Sequence, residues 1–278
     1  MKHPSFPYQE PPLCAEADGK KRHSTERLRA KQVSDVIHAA ATDQALLHAN
    51  QNSSADERLM VTAGVTHELR TPLTILKGRL HGIEDGVIKP DPDETARLLR
   101  QVEHVLAIVN DLDTLTQADL GRLSLQRREV NLVEIAAAVV SDLRPLLARH
   151  GMEIVEAYEN VHLLADPIRI TQIVTNLLTN ASKHSPAGGR ITMQVEASGK
   201  TAWLSVMDEG PGFAPSDSER LFTPFWRSAA TIKRPGCPGT GIGLALTARL
   251  VAAHGGNITA ENRQDRSGAC FRVVLPIS

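Results

Sequence analysis

Two apolar stripes, each stepping by about four and then about three residues, constrain this chain more than any other feature. Val65, Leu69, Pro72/Leu73, Leu76, Leu80, Ile83 and Val87 make the first; Leu98, Val102, Val105, Val109 and Leu112 make the second. Such spacing lines one face of a bundle helix. Between the stripes, Gly86 to Asp93 carries Pro90 and Pro92, which interrupt a helix because proline has no amide donor. The pattern predicts two helices of similar length joined by a short turn, an antiparallel hairpin. A lone hairpin leaves its seam partly bare, so two hairpins are expected to pair as a four-helix bundle.

The remainder reads differently. Residues 1–30 hold Pro4, Pro7, Pro11 and Pro12, then Lys20-Lys21-Arg22, with few large apolar residues to bury, and are expected to be a disordered tail. Over 31–58, apolar positions from Val33 to Leu47 recur with an imperfect period broken by Asn50-Gln51-Asn52-Ser53-Ser54, which predicts a broken signalling helix or linker. The hairpin is assigned to 59–120 and a mixed domain to 121–278. There, Asn131 stands three positions before Glu134 and caps a helix running through Ile135 to Leu147, and Asp166-Pro167 opens another through about Ser182. Ile191 to Val195 and Ala202 to Met207 alternate as strands about the turn Ser198-Gly199-Lys200, Leu244 to Ala253 is helical, and Ala269 to Leu275 is a last strand. The expected fold class is α+β with two domains, the helical hairpin followed by an α/β sandwich with helices on one face of a mixed sheet.

Composition narrows the function classes. In 278 residues of which 41% are hydrophobic there is enough apolar matter for a core in each domain. Lys and Arg total 31 against 32 Asp and Glu, and a net charge of -1 supplies no field to gather nucleic acid or an anionic membrane. The longest apolar runs, such as Ile135 to Val140, fall far short of the roughly 20 residues that span a bilayer. Met1 to Ser5 opens no hydrophobic signal segment, so a cytoplasmic chain without a membrane span is expected. Cys14, Cys237 and Cys270 are widely spaced, which argues against a disulfide framework or a zinc site.

The chemistry concentrates in four places. His67 lies in Thr66-His67-Glu68-Leu69-Arg70-Thr71-Pro72-Leu73 on the first predicted helix, two residues from Leu69 and so about 200° around the axis, away from the seam. A neutral imidazole there has a lone pair able to take a phosphoryl group, and Glu68 is suited to hold the proton on its other nitrogen. Thr71 is one turn from His67, and Pro72 within the helix predicts a kink. Asn176, Asn180 and Lys183 are spaced to share a helix face, offering amide oxygens for hydrated Mg²⁺ and an ammonium for phosphate. Asp208 enters Gly210-Pro211-Gly212, where absent side chains let backbone approach a flat base and the carboxylate can accept from an exocyclic amine. Gly239-Thr240-Gly241-Ile242-Gly243, followed by the helix from Leu244, offers loop and helix N-terminal amides to a triphosphate. Between the last two sites, Ser228 to Pro238 is expected to be a mobile lid over the nucleotide, anchored by Phe222 and Phe225 packing in the core, with Arg227 reaching phosphate. Gly199-Lys200-Thr201 imitates half of a phosphate loop but lacks its first glycine, where Gln194 stands, and is rejected.

In this order the phosphoacceptor box, the asparagine box and both glycine boxes resemble those of the sensor histidine kinases of two-component systems, over roughly residues 55 to 278. The resemblance implies a homodimer through 59–120, ATP and Mg²⁺ as cofactors, and a response regulator receiver domain as partner. It implies that His67 is the phosphoacceptor and that Glu68 and Thr71 also position water for dephosphorylating the regulator. It further implies that Asn180 ligates the magnesium while Asn176 and Lys183 contact phosphates. One departure stands out: the family often has Tyr after the lysine, and this chain has His184, which can still stack near the nucleotide. Two rival readings remain at this level, a serine/threonine kinase or ATPase on the same nucleotide fold, and a dimeric scaffold without catalysis; the hairpin carrying His67-Glu68 speaks against the first and the intact boxes against the second.

Overall fold

The computed structural model describes residues 55–228 and 240–277, without the side chains of residues 55–63 and of His67. The tail expected over 1–30, the linker expected over 31–58 except its last four residues, Cys14 and Cys237, Gly239, and the lid stretch beyond Ser228 lie outside the described residues.

Helix α1 spans Ala55–Glu84, running through Pro72, and α2 spans Pro92–Asp119. Asp91 caps α2 by accepting from the Glu94 amide at 2.7 Å, and Pro92 takes the first turn, where its missing donor is not needed. The Glu94 carboxylate is nearly buried and receives both of its short contacts from Nη1 of Arg79, at 2.6 and 2.7 Å, which ties the two helices beside their turn. The end of the first stripe is corrected here: Val87 is 81% exposed, and Ile88 instead folds back onto Gly82, where a Cβ would meet its Cδ1 at 2.7 Å. On α2 the buried positions include Ile108 and Leu115 beside Val105 and Leu112, whereas Val109 is only half-buried. The buried face is wider than a heptad seam because α2 also packs against the second domain.

That domain is built on a five-stranded sheet of β2 (Glu153–Tyr158), β4 (Arg190–Ser198), β5 (Thr201–Met207), β7 (Ala269–Pro276) and β6 (Asn257–Asn262), in that spatial order. β2 and β4 are parallel and the other pairs antiparallel. A small antiparallel pair, β1 (Arg128–Asn131) with β3 (His162–Ala165), stands apart. Helices α3 (Leu132–Arg149), α4 (Pro167–His184) and α5 (Gly243–Ala253) cover one face, as the alternation of the strands requires. Ile191, Met193, Val195, Leu204, Val206, Phe271, Val273 and Leu275 point into this layer and are buried, while Thr192, Gln194, Trp203 and Arg272 are half-exposed on the other side. Gly199, with φ of 60°, turns the β4–β5 hairpin, so the half phosphate loop is a turn.

Asn131 caps α3 through the Val133 amide at 3.0 Å, one residue earlier than a capping box would have it, and Glu134 meets the Asn131 side chain instead. Asp166 organises the approach to α4: Oδ1 accepts from the amides of Ile168 and Arg169, and Oδ2 from Gln126 in the interdomain link. Its own amide donates to Nε2 of buried His254, whose Nδ1 faces the Leu250 carbonyl at 2.7 Å. That pair of contacts needs a neutral ring with its proton on Nδ1, and burial lowers the His254 pKa.

Candidate functional site

His67 lies in α1 between buried Val65 and Leu69, with buried Pro72 continuing the same stripe. Around it Glu68 is half-buried and Thr71 exposed, as are Thr74, Lys77 and His81 further along the helix.

The nucleotide residues of the sequence converge on a cleft of about 310 Å³. Asn176, Asn180, Lys183 and His184 line it from α4, the face that their spacing predicts. Asn176 gives its amide nitrogen to the Gly243 carbonyl at 3.3 Å, which fixes α4 to the start of α5 and leaves the amide oxygen as its acceptor end. Thr240, Gly241, Gly243 and Leu244 line the cleft as well. No side chain caps α5 through its Ile242 position, so its first-turn amides retain their donor character.

Asp208 directly follows β5 at 2% exposure, and Oδ1 accepts from the amides of Gly210 at 2.7 Å and Ala269 at 3.1 Å. Burial raises its carboxyl pKa, with those two amides working in the other direction. Glycine is required around it: a Cβ at Gly210 would fall 2.8 Å from the His184 carbonyl oxygen, and Gly212 has φ of 71°. Gly212 lines the cleft beside Pro211. Arg227 and Trp226 line it too, with the Arg220 guanidinium 5.5 Å over the Trp226 ring. Phe222 and Phe225 are corrected: both are half-buried outside the domain core, and Phe225 adopts φ of 62° with its ring against Gly64 of α1.

Sequence reasoning missed the residues that back these motifs. The β6–β7 loop supports the Asp208 turn: Asn262 exchanges two hydrogen bonds with the Phe213 backbone, at 2.9 and 2.6 Å, Arg263 donates to the Asp208 carbonyl at 3.2 Å, and Ser267 donates to the Gly210 carbonyl at 2.7 Å. Gly268 marks a turn by its type, but nothing local shows what it approaches. From α2, His104, Ala107 and Asp111 also line the cleft. Asp111 receives the Gln172 amide at 2.8 Å, and burial raises its pKa.

Two family models match the chain: the His Kinase A (phospho-acceptor) domain over residues 57–121, and the histidine kinase-, DNA gyrase B- and HSP90-like ATPase over 165–278. The chain is 30% identical to the signal transduction histidine-protein kinase BaeS of Escherichia coli (strain K12) over 244 residues, 87% of this chain and 52% of BaeS. It spans about half, or less, of the length of the curated relatives it matches. Among solved structures it is similar to the Acinetobacter baumannii histidine kinase AdeS, with a TM-score of 0.63 and 32% identity over 76% of this chain and 98% of that one. It is also similar to full-length ShkA in complex with AMPPNP, with a TM-score of 0.58 and 28% identity over 79% of this chain and 46% of ShkA. Among the described residues no helix is long and apolar enough to cross a membrane. By its two domains, in their order, and by its likeness to AdeS across nearly the whole of that chain, the protein belongs to the sensor histidine kinases of two-component systems.

Proposed function

We infer that this chain is an ATP-dependent protein histidine kinase that phosphorylates itself on His67 and passes the phosphoryl group to an Asp of a response regulator receiver domain. The observation that carries the reading is the single cleft in which Asn176, Asn180, Lys183, Asp208, Gly212 and Gly241 come together, in a chain whose other domain bears the phosphoacceptor box. ShkA, its relative in fold and sequence, is complexed with AMPPNP, an ATP analogue, which supports ATP as the ligand. Asp208 selects adenine by accepting from the exocyclic amine, and the glycine loop and the α5 amides receive the phosphates. Asn180 and Asn176 are neutral oxygen donors one turn apart, a set that suits a cation keeping most of its water, and Asn180 would hold Mg²⁺. Bound Mg²⁺ draws charge from the phosphate oxygens. Lys183 and Arg227, which both line the cleft, add positive charge for the phosphates. His184, which lines the same cleft, flanks the base.

In the transfer, an imidazole lone pair of His67 forms the N–P bond as the bond from γ-phosphorus to the bridging oxygen breaks and ADP departs. Glu68 accepts a hydrogen bond from the other ring nitrogen and stabilises the charge that develops there. Exposed Thr71 orients water for the reverse function, removal of phosphate from the regulator. The exposed face of Thr74, Lys77 and His81 receives the regulator, and two chains pair through 59–120. Because ATP is the donor, these domains work in the cytoplasm. Incubation with γ-labelled ATP tests the reading: the expected label is acid-labile and alkali-stable and vanishes in His67→Gln. Label that persists in that variant, or that survives acid, overturns it.

A further inference from the structure

Phe225 is held from two sides. Its amide donates to the Gly241 carbonyl at 3.0 Å, and a Cβ at Gly241 would fall 2.9 Å from the Phe225 Cα, so its backbone is fixed on the loop that lines the nucleotide cleft. Its ring lies on α1 at Gly64, where a Cβ would fall 2.5 Å from Phe225 Cγ and 2.6 Å from Cδ1. Gly64 is one turn ahead of His67 on the same helix. Each partner is locally unfavourable. Glycine inside a helix is a poorer helix former than alanine. A left-handed φ of 62° is strained for an aromatic residue. Two such choices, about 160 positions apart in sequence, meet at one contact, which is where local rules are broken for a tertiary reason.

We propose that Gly64 and Phe225 form the docking point that sets the ATP-binding domain on the phosphoacceptor helix, with Phe225 acting as a positioning residue for phosphoryl transfer. The proposal rests on the kinase reading of His67. In-line transfer requires reacting atoms about 3–3.5 Å apart, and displacement of about 1 Å can lower a rate 100-fold. Polar ties between the domains, Gln172 to Asp111 and Arg249 to Asp119, reach α2. Phe225 reaches α1, the helix that carries His67, from the loop that faces the triphosphate. A bare backbone at position 64 leaves the space that the Phe225 side chain fills, and any side chain there pushes the two apart.

The test uses the full chain with Gly64→Ala, Gly64→Leu, Phe225→Ala and the pair Gly64→Leu/Phe225→Ala, read by the rate of His67 labelling, by Mg-ADP affinity and by melting temperature. Gly64→Leu is expected to slow labelling at saturating ATP by about tenfold or more, with nucleotide affinity within about twofold, as loss of positioning rather than of binding requires. Gly64→Ala is expected to slow it less while the melting temperature holds or rises, since alanine favours the helix. In the pair, the leucine occupies the space of the removed ring and restores part of the rate, so the losses are not additive. Unchanged labelling in Gly64→Leu, additive losses in the pair, or a fall in nucleotide affinity equal to the fall in rate would each overturn the docking point. If His67→Gln retains its label, the kinase reading itself fails, a distinct result.

Discussion

The two domains bury apolar surface to different extents: both have buried apolar positions, and Leu146, Leu164 and Ile168 of the nucleotide domain are exposed too, but the enclosed core lies in that domain. In the nucleotide domain Ile170, Ile173, Leu177, Leu178, Ile191 and Leu204 are within 1% of full burial inside one chain. In the hairpin Ile75, Leu80, Leu99 and Leu106 are each more than 40% exposed. Two helices cannot enclose a core, whereas helices laid on one face of a sheet can. The hairpin therefore leaves an apolar face that a four-helix bundle would cover, while the nucleotide domain encloses its core within one chain.

The sharpest way to break that contrast is to charge the bare face. Leu99→Glu/Leu106→Glu is expected to convert a dimer to monomers, since each leucine contributes about 1.5–3 kcal/mol on burial and both copies lose it. Light scattering reads the mass, and ADP affinity should stay within about twofold. A wild-type monomer would remove the contrast altogether.

Next in size is Asp208→Asn. It replaces a charged acceptor by an amide and should weaken ATP binding about 10- to 100-fold, the worth of a hydrogen bond to a charged group. Stability should move the other way. Burial raises the folded-state pKa of Asp208 above its unfolded value, so ionisation opposes folding, increasingly as pH rises through that window. Calorimetric titration should thus show weaker binding alongside a melting temperature that is equal or higher; a lower one contradicts the burial argument.

Arg79→Ala probes the hairpin's own glue. It leaves the buried Glu94 carboxylate with Arg97 at 3.5 Å as its remaining cation, and chemical denaturation should show a loss of about 2 kcal/mol. The smallest effect is the pH response of His254. Its folded pKa is lowered, so the unfolded chain takes up the proton first as pH falls below about 6.5, and stability declines until the folded pKa is passed. The melting temperature of the nucleotide domain should fall by about 2–4 °C for each kcal/mol lost. Glutamine at 254 should flatten the slope, because it retains an acceptor for the Asp166 amide without the titration; an unchanged slope would assign the response elsewhere.

What was legible follows the range of the interactions. The helices α1, α2, α4 and α5 were visible because caps and periodicity act within a turn or two: Asp166 and Pro167 open α4 through atoms two and three residues away. The hairpin strand β4 alternates over Ile191 to Val195, β5 alternates over Thr201 to Leu204, and the two surround a glycine turn. Strands β1, β2, β3 and β6 carry too many polar or half-exposed positions for their period to stand out, and their pairing supplies what their sequence lacks. Val87 was misread because a stripe does not show where a helix stops, and Gly86, with φ of 71°, had already turned the chain.

Residue chemistry and spacing alone determined that this protein has a helical hairpin bearing a histidine box, and a separate domain with amide, carboxylate and glycine motifs suited to a nucleotide. Tertiary structure decided which distant groups complete those motifs. Asn262 and Arg263 brace the Asp208 turn from another hairpin, Asp111 enters the cleft from α2, and Phe225 rests on Gly64. The physical reason is that periodicity and capping are set by backbone geometry over a few residues, whereas contacts between segments far apart in sequence exist only once whole surfaces have packed.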